Sequence, residues 1–104
     1  MISMARSSLF RPLVQGDPTN PMFRFSLGQA LWQEGQWQDA CEHLQFAATA
    51  KADWMMPLIL LGKCHLSLQQ KDAAKAVFSE ALRLAVAQGH EEPEAELQAL
   101  LRDL

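Results

Sequence analysis

Two cysteines and three histidines are the side chains of this 104-residue sequence that could bind a metal or undergo redox chemistry. Cys41 and His43 lie two positions apart, so on a helix they point to different faces. Neither a C-x-x-C nor an H-x-x-x-H spacing occurs, although such spacings are what bring zinc ligands together. We therefore expect no zinc site made from the cysteines with His43 or His65, and no other metal.

Cys41 and Cys64 nevertheless lie at nearly equal distances along the chain from residue 53. In an antiparallel helical hairpin that turns near this residue, the two side chains would lie at the same level. A disulfide needs Cα atoms within about 7 Å of each other and suitably directed side chains, whereas helix axes pack about 8–10 Å apart. We predict two small buried hydrophobic side chains rather than a disulfide.

The acidic residues near the C-terminus are the other candidate for chemistry. Negative side chains stabilise the positive end of a helix dipole, which explains their position without catalysis. The sequence contains no Ser-His-Asp arrangement, no paired catalytic carboxylates and no glycine-rich phosphate loop. We therefore predict no enzymatic activity and no cofactor. The acidic run follows Gly89 and consists of Glu91, Glu92, Glu94 and Glu96.

Composition and charge favour a single helical domain and exclude several classes of partner. Hydrophobic residues make up 49% of the chain and tyrosine is absent, which suits a small helical core. The net charge is −3, so we expect no nucleic-acid partner. No apolar stretch is long enough to span a membrane, and Arg6 and Arg11 flank no apolar leader segment. We expect a cytoplasmic protein with reduced thiols.

An internal repeat decides the predicted architecture. Leu27-Gly28 recurs as Leu61-Gly62, an offset of 34 residues, and small and large residues match at the same offset farther along. The small residues let the two helices of a hairpin approach closely, and the large ones fill the seam between them. The other matched pairs are Ala40 with Ala74, Leu44 with Phe78, and Ala47 with Ala81.

This pattern resembles the tetratricopeptide repeat, in which an early Leu-Gly is followed by alanines around an aromatic or leucine residue. Gly35-Gln36-Trp37 is similar to the family's Gly-Asp-Tyr turn, whereas Gln69-Gln70-Lys71 in the second unit lacks the glycine. The resemblance implies an all-α superhelix with two helix-turn-helix repeats and a capping helix. It divides the chain into an N-terminal arm at 1–20, repeats at 21–54 and 55–88, and a capping helix at 91–104.

Two further segments narrow the resemblance. Leu61-Gly62-Lys63 and Leu101-Arg102-Asp103-Leu104 are similar to segments of small free-standing bacterial proteins of this family. This likeness implies a bacterial protein and carries no known activity with it.

Helix boundaries are predicted from capping residues. Asn20-Pro21 begins the first repeat, and Asp53 can cap the helix that carries Pro57 in its first turn. Gly35 and Gly89 can each end a helix, and Pro93 opens the last one. We predict helices over residues 21–34, 37–51, 54–68, 71–87 and 92–103. A short helix over residues 5–15 would use Leu9, Leu13 and Val14 to cover the open end of the first repeat.

Tetratricopeptide repeats usually turn the first helix of each repeat toward a concave groove, and the resemblance transfers these positions to this sequence. The transferred set is unusually apolar, and methionine and tryptophan suit adaptable contacts that exclude water. Some members clamp a partner's C-terminal carboxylate with Lys, Asn and Arg, but here only Lys63 could take part. The predicted partner-binding residues are Met22, Phe25, Gln29 and Trp32 in the first repeat, and Met56, Ile59, Lys63 and Leu66 in the second.

Three occupants of this groove are compatible with the sequence. A peptide or helix of another protein could bind there, which would make the chain an adaptor or scaffold. A second copy could pair through it and form a homodimer. The chain's own terminal segments could instead fold over the groove and bury it. The first two remain as rival hypotheses about function: a protein-interaction module, or a self-associating structural unit.

Overall fold

The computed structural model describes residues 5–104, and every regular element in that range is an α-helix. Each helix packs against the next along the chain, and α2 also touches α4. The five helices predicted after residue 20 are confirmed, each end to within one residue. The elements are α1 (Ser7–Gly16), α2 (Pro21–Gln33), α3 (Trp37–Ala50), α4 (Met55–Ser67), α5 (Lys71–Gln88) and α6 (Glu91–Arg102).

A side chain caps the start of α2 but not the start of α4. Asn20 caps α2, because its side-chain oxygen accepts from the backbone N–H groups of Met22 at 2.9 Å and Phe23 at 3.1 Å. The predicted cap at Asp53 is wrong: the N-cap residue of α4 is Trp54, and no side chain caps this helix. Asp53 lies one residue too early to take that position. Pro57 stands in the first turn as predicted, where its missing N–H leaves no bond unmade.

Three helices end in the same left-handed turn. The residue after the C-cap of α2 is Gly35, with φ of 82°, and the corresponding residue after α4 is Gln69, with φ of 64°. Gly89 has φ of 71° at the end of α5. In each turn the following backbone N–H reaches back to a carbonyl five residues earlier, at 2.8–2.9 Å, which is the Schellman pattern. The second turn therefore keeps the geometry of the first without its glycine.

The seam of each hairpin is closed around a glycine. A Cβ atom on Gly28 would lie 2.7 Å from Cγ of Leu44, and a Cβ on Gly62 would meet three carbons of the Phe78 ring. These two contacts are equivalent at the 34-residue offset. They confirm that α2 packs closely on α3, and α4 on α5, as the repeat predicts. The matched alanines, Ala40, Ala47, Ala74 and Ala81, are fully buried in the same seams.

α1 covers the open side of the first hairpin, but not through all of the predicted side chains. Val14 is buried and Phe10 packs against the same cluster. Leu9, by contrast, is 58% exposed, and Leu13 also faces solvent. The prediction for these two leucines is wrong because α1 docks mainly on α2, so that only half of its apolar face becomes buried.

Polar contacts fix α1 in place. The backbone N–H and the hydroxyl of Ser7 donate to the two carboxylate oxygens of Glu34, at 2.9 and 2.7 Å. These hydrogen bonds lower the pKa of Glu34. Farther along the helix, Nη2 of Arg11 lies 3.0 Å from Oδ2 of Asp39. The arm is thereby held to the end of α2 and the start of α3.

α6 closes the other end of the stack. Leu97 is fully buried in the cluster that contains Phe78, and Leu100 and Leu101 pack against it. The acidic residues lie at the start of this helix, where the helix dipole favours them. Within residues 5–104, none of the six helices has the length and hydropathy that a membrane span requires.

Candidate protein-interaction groove

The eight predicted partner-binding residues form two parallel rows on adjacent helices. α2 carries Met22, Phe25, Gln29 and Trp32, and α4 carries Met56, Ile59, Lys63 and Leu66 at the equivalent positions. We call these eight residues the groove face. Both rows follow a spacing of three or four residues, which keeps their members on one side of each helix.

The two methionines are the most exposed residues of the groove face. Met22 is 53% and Met56 48% exposed, and the two occupy the same position in their repeats. Unbranched thioether side chains adapt to irregular apolar partners. Neither methionine belongs to a buried core cluster.

An aromatic pair lies beside Met22 on the first row. The rings of Phe25 and Trp54 have centroids 4.9 Å apart at an angle of 52°, and the ammonium group of Lys51 lies 5.5 Å from the centroid of the Trp54 ring. Trp54 was not among the predicted site residues. The feature of the sequence that could have identified Trp54 is its position directly before Met55-Met56, at the start of the helix that carries the second row.

Other members of the groove face are partly or wholly used by the core. Ile59 is only 6% exposed and belongs to the cluster around Phe78, and Leu66 packs against that cluster. Trp32 is half-buried against the cluster that contains Leu31. Within residues 5–104, the indole N–H of Trp32 is the one buried side-chain donor or acceptor without a hydrogen-bond partner. Ile59, Leu66 and Trp32 are therefore less exposed than the two methionines.

The polar members of the groove face differ in their contacts. Gln29 is half-buried on α2. Nζ of Lys63 on α4 lies 3.0 Å from Oε1 of Glu96 on the capping helix, so its charge is already paired. A carboxylate clamp built on Lys63 would have to compete with this ion pair. Glu96 was predicted only as part of a helix-dipole run, because no local pattern links it to α4.

The cysteines lie inside the protein and away from the groove face. Cys41 and Cys64 are both free and buried, and they belong to the same core cluster. Burial raises the pKa of Cys41, and it raises that of Cys64 to about 12. Thiols with raised pKa values are poor nucleophiles and poor metal ligands. The prediction of two buried hydrophobic side chains at one level is confirmed.

The histidines have structural contacts of their own. Nδ1 of His43 lies 3.2 Å from Nη1 of Arg24, and burial is the main cause of its lowered pKa. Nδ1 of His65 lies 2.8 Å from Oε1 of Gln70 in the turn after α4. Within residues 5–104, no three side chains of the metal-binding types come together.

A shallow cleft of about 510 Å³ lies elsewhere, where the turn between α2 and α3 meets the end of α4. It is lined by Trp37, Asp39, Glu42 and Leu68, among others. Asp39 in this cleft is already bound to Arg11 at 3.0 Å. The cleft includes none of the groove-face residues, so the predicted interaction surface is an open face rather than an enclosed pocket.

Comparisons with known proteins identify the architecture. No family model and no curated protein matches the chain. PcrH of Pseudomonas aeruginosa is 26% identical to this chain. Its complex with the chaperone binding region of PopD has a TM-score of 0.87, and the match covers 93% of this chain and 74% of PcrH. Its complex with the chaperone binding region of PopB has a TM-score of 0.84, and the match covers 91% of this chain and 77% of PcrH. The first tetratricopeptide domain of Spaghetti (RPAP3), bound to the HSP90 peptide SRMEEVD, shares the fold at 18% identity (TM-score 0.78, covering 93% and 75%). The chain thus shares the helical-repeat fold of tetratricopeptide-repeat structures.

Proposed function

We propose that this chain is a protein-interaction module that holds an apolar segment of a partner protein, as an extended peptide or a helix, on its groove face. The observation that carries the proposal is the pair of half-exposed methionines, Met22 and Met56, at the same position of both repeats. Repetition of one exposed apolar side chain along adjacent helices suits a ligand that crosses both of them.

The surroundings of the methionines support the proposal. Phe25 and Trp54 form a rigid aromatic platform beside Met22, and aromatic side chains contribute strongly to binding at low entropic cost. Ile59 and Leu66 give the second row a fixed floor. A mobile methionine on a fixed apolar base can adapt to a ligand without disturbing the fold.

The likeness to PcrH also supports a role in binding. PcrH resembles this chain over most of its length, and it was solved with segments of two different proteins, PopD and PopB. By analogy, we propose that the ligand is a short segment of a larger protein. We place this binding in the cytoplasm of a bacterial cell, with no part for catalysis, nucleic acid or a membrane.

Homodimer formation is the rival proposal. The same exposed methionines could pair across a twofold axis, and an isologous dimer would bury both rows at once. Light scattering at micromolar concentration distinguishes the two proposals. A monomeric protein would contradict the homodimer. A dimer that Met56→Glu dissociates would contradict a groove face that is open to other ligands.

The test of the proposal compares substitutions on and off the groove face. Met22→Glu with Met56→Glu places two charges on the open part of the groove face, and Val86→Glu is the matched control because Val86 on α5 is 57% exposed. Affinity capture from the source cells, followed by titration of each captured protein in purified form, gives the affinities. Tryptophan fluorescence reports binding through Trp54.

We expect the methionine double variant to lose at least tenfold in affinity, whereas Val86→Glu binds like the wild type. Both variants should unfold at the same denaturant concentration as the wild type, because all three side chains are already exposed. Equal binding by the double variant and the control would contradict a ligand site on the groove face.

A further inference from the structure

The capping helix adds a row of acidic side chains beside the groove face. Because Glu96 contacts Lys63 at 3.0 Å, the side of α6 that bears Glu96 borders the second row. Glu92 lies one turn before Glu96, and Asp103 lies two turns after it, so all three share that side. Both neighbours are exposed. We call Glu92, Glu96 and Asp103 the acidic rim.

The acidic rim outweighs the single positive charge of the groove face. Lys63 is the one charged residue among the eight, and Glu96 pairs with it. For the part of the chain that is described, no ion pair involves Glu92 or Asp103. A ligand that runs across α2 and α4 toward α6 therefore passes from an apolar surface to a negative one.

We infer that Glu96 is a specificity-determining residue, which selects apolar segments that carry lysine or arginine where they pass α6 and rejects segments that carry an acid there. The inference rests on the proposed function, whose ligand class it narrows. An acidic side chain at that place would meet the net negative charge that the acidic rim keeps after Glu96 pairs with Lys63. A basic side chain would meet complementary charge, and like charge across an interface is an effective means of rejecting a wrong partner.

The expected selectivity is modest, because the charges are only partly shielded from water. The side chain of Lys63 is 36% and that of Glu96 49% exposed. Exposed ion pairs of this kind change affinity by about two- to fivefold each, and salt weakens them further. The acidic rim should therefore bias the choice of ligand, while the apolar contacts supply most of the affinity.

A selection experiment tests the inference without requiring the identity of the natural partner. Random peptides displayed on phage are selected on the wild type, on Glu96→Gln and on Glu80→Gln, each immobilised through the same terminal tag. Glu80 on α5 is the matched control, because it is an exposed acid paired with Arg83 at 2.6 Å. The best wild-type peptide is then synthesised with Lys, Gln or Glu beside its apolar core, and its affinity is measured by fluorescence anisotropy at low and high salt.

We expect wild type and Glu80→Gln to enrich lysine or arginine beside an apolar core and to bind the Lys peptide about two- to fivefold more tightly than the Gln peptide. Glu96→Gln should lose this preference and gain affinity for the Glu peptide, because Lys63 becomes available. The Lys–Glu difference should shrink at high salt. Lys63→Gln should increase the preference for lysine, since the acidic rim then has no counter-charge.

Four outcomes would overturn the inference. Equal enrichment of acidic and basic peptides by the wild type, or the same profile from Glu96→Gln and the wild type, would remove Glu96 as the determinant and leave the proposed function intact. Enriched peptides whose binding survives Met22→Glu with Met56→Glu would lie outside the groove face, and both proposals would fail. No enrichment, together with a dimer that Met56→Glu dissociates, would assign the groove face to a second copy.

Discussion

The two hairpins follow one backbone path but use their first helices differently. Phe25 in the first repeat is only partly buried and contacts the tilted ring of Trp54, whereas Ile59 at the equivalent position of the second repeat is buried. The difference arises from the element that packs on the far side of each repeat, since Ile59 shares its cluster with Leu97 of the capping helix. The first repeat therefore leaves Phe25 partly exposed beside Trp54, while the second uses Ile59 to hold the end of the stack together.

The polar attachments show the same division. Glu34 at the end of α2 binds Ser7 through both carboxylate oxygens, but the equivalent residue of the second repeat is Leu68, which packs against the core. The end of α2 is thus tied to α1 by hydrogen bonds, whereas the equivalent end of α4 packs against the core. Equal positions in a repeat fix the geometry, while the neighbouring element decides whether a side chain serves binding or stability.

Substitution of Trp32 should have the largest effect on the free energy of unfolding. Trp32→Ala should lower the free energy of unfolding by about 2–3 kcal/mol, somewhat less than a fully buried tryptophan, because the ring is half-buried against the core. Trp32→Phe should be nearly neutral, since it also removes the unpaired buried N–H. Urea denaturation measures both. If Trp32→Ala unfolded like the wild type, Trp32 would belong to the open surface with the methionines, and its assignment to the core of the first repeat would be wrong.

The glycines of the seams come next. Gly62→Ala should cost about 2–3 kcal/mol of stability and Gly28→Ala about 1 kcal/mol, both by overpacking, because the rigid ring of Phe78 yields less than the side chain of Leu44. Denaturation curves of the two variants test the order. Phe78→Leu in the Gly62→Ala background should recover part of the lost stability. If Gly28→Ala cost more stability than Gly62→Ala, the Phe78 ring would not be the contact that resists a larger side chain in the seam.

Substitutions in the left-handed turns should change stability less, and with opposite sign in the two repeats. Gln69→Gly should stabilise the protein by about 1 kcal/mol, because a residue with a Cβ is strained in the left-handed conformation. Gly35→Ala should destabilise it by a similar amount through the same strain, since a Cβ there meets no atom within 4 Å. Thermal and urea unfolding measure both variants. Gln70→Gly is the control, and a stabilisation there as large as at position 69 would exclude the conformational explanation.

The attachment of α1 should have the smallest effect, and it depends on pH. Glu34→Gln should cost less than about 1 kcal/mol at pH 7, because Glu34 lies near the surface. The pKa of Glu34 is lowered in the folded protein, so its contribution is complete above the unfolded value of about 4.3 and is lost as pH falls through the folded value. Stability curves of both proteins should therefore converge in acid. Ser7→Ala should reduce the pH-dependent difference without abolishing it, because the backbone N–H of residue 7 still donates to Glu34. A difference as large as in the wild-type background would contradict the assignment to this pair.

The sequence predicts the seams and helix limits well, because close helix contact and left-handed turns restrict which residues are allowed. Gly28 and Gly62 identify the hairpins, and Gly35 marks a left-handed turn. The same geometry recurs at Gln69, although glutamine does not favour it. Contacts between distant residues carry no such local signal. The burial of Ile59 depends on α6, and the pairing of Lys63 with Glu96 joins elements that no periodic pattern connects.

The buried thiol pair provides a built-in reporter of how the two repeats separate. Cys41 lies on α3 and Cys64 on α4, so the two thiols span the junction between the hairpins, and both are buried. A thiol reagent can modify them only when this junction opens. When closing is faster than modification, the ratio of the observed rate to the rate of an exposed thiol gives the free energy of that opening. Equality with the global unfolding free energy would mean that the hairpins unfold as one cooperative unit, whereas a lower value would identify the junction as a hinge that opens on its own.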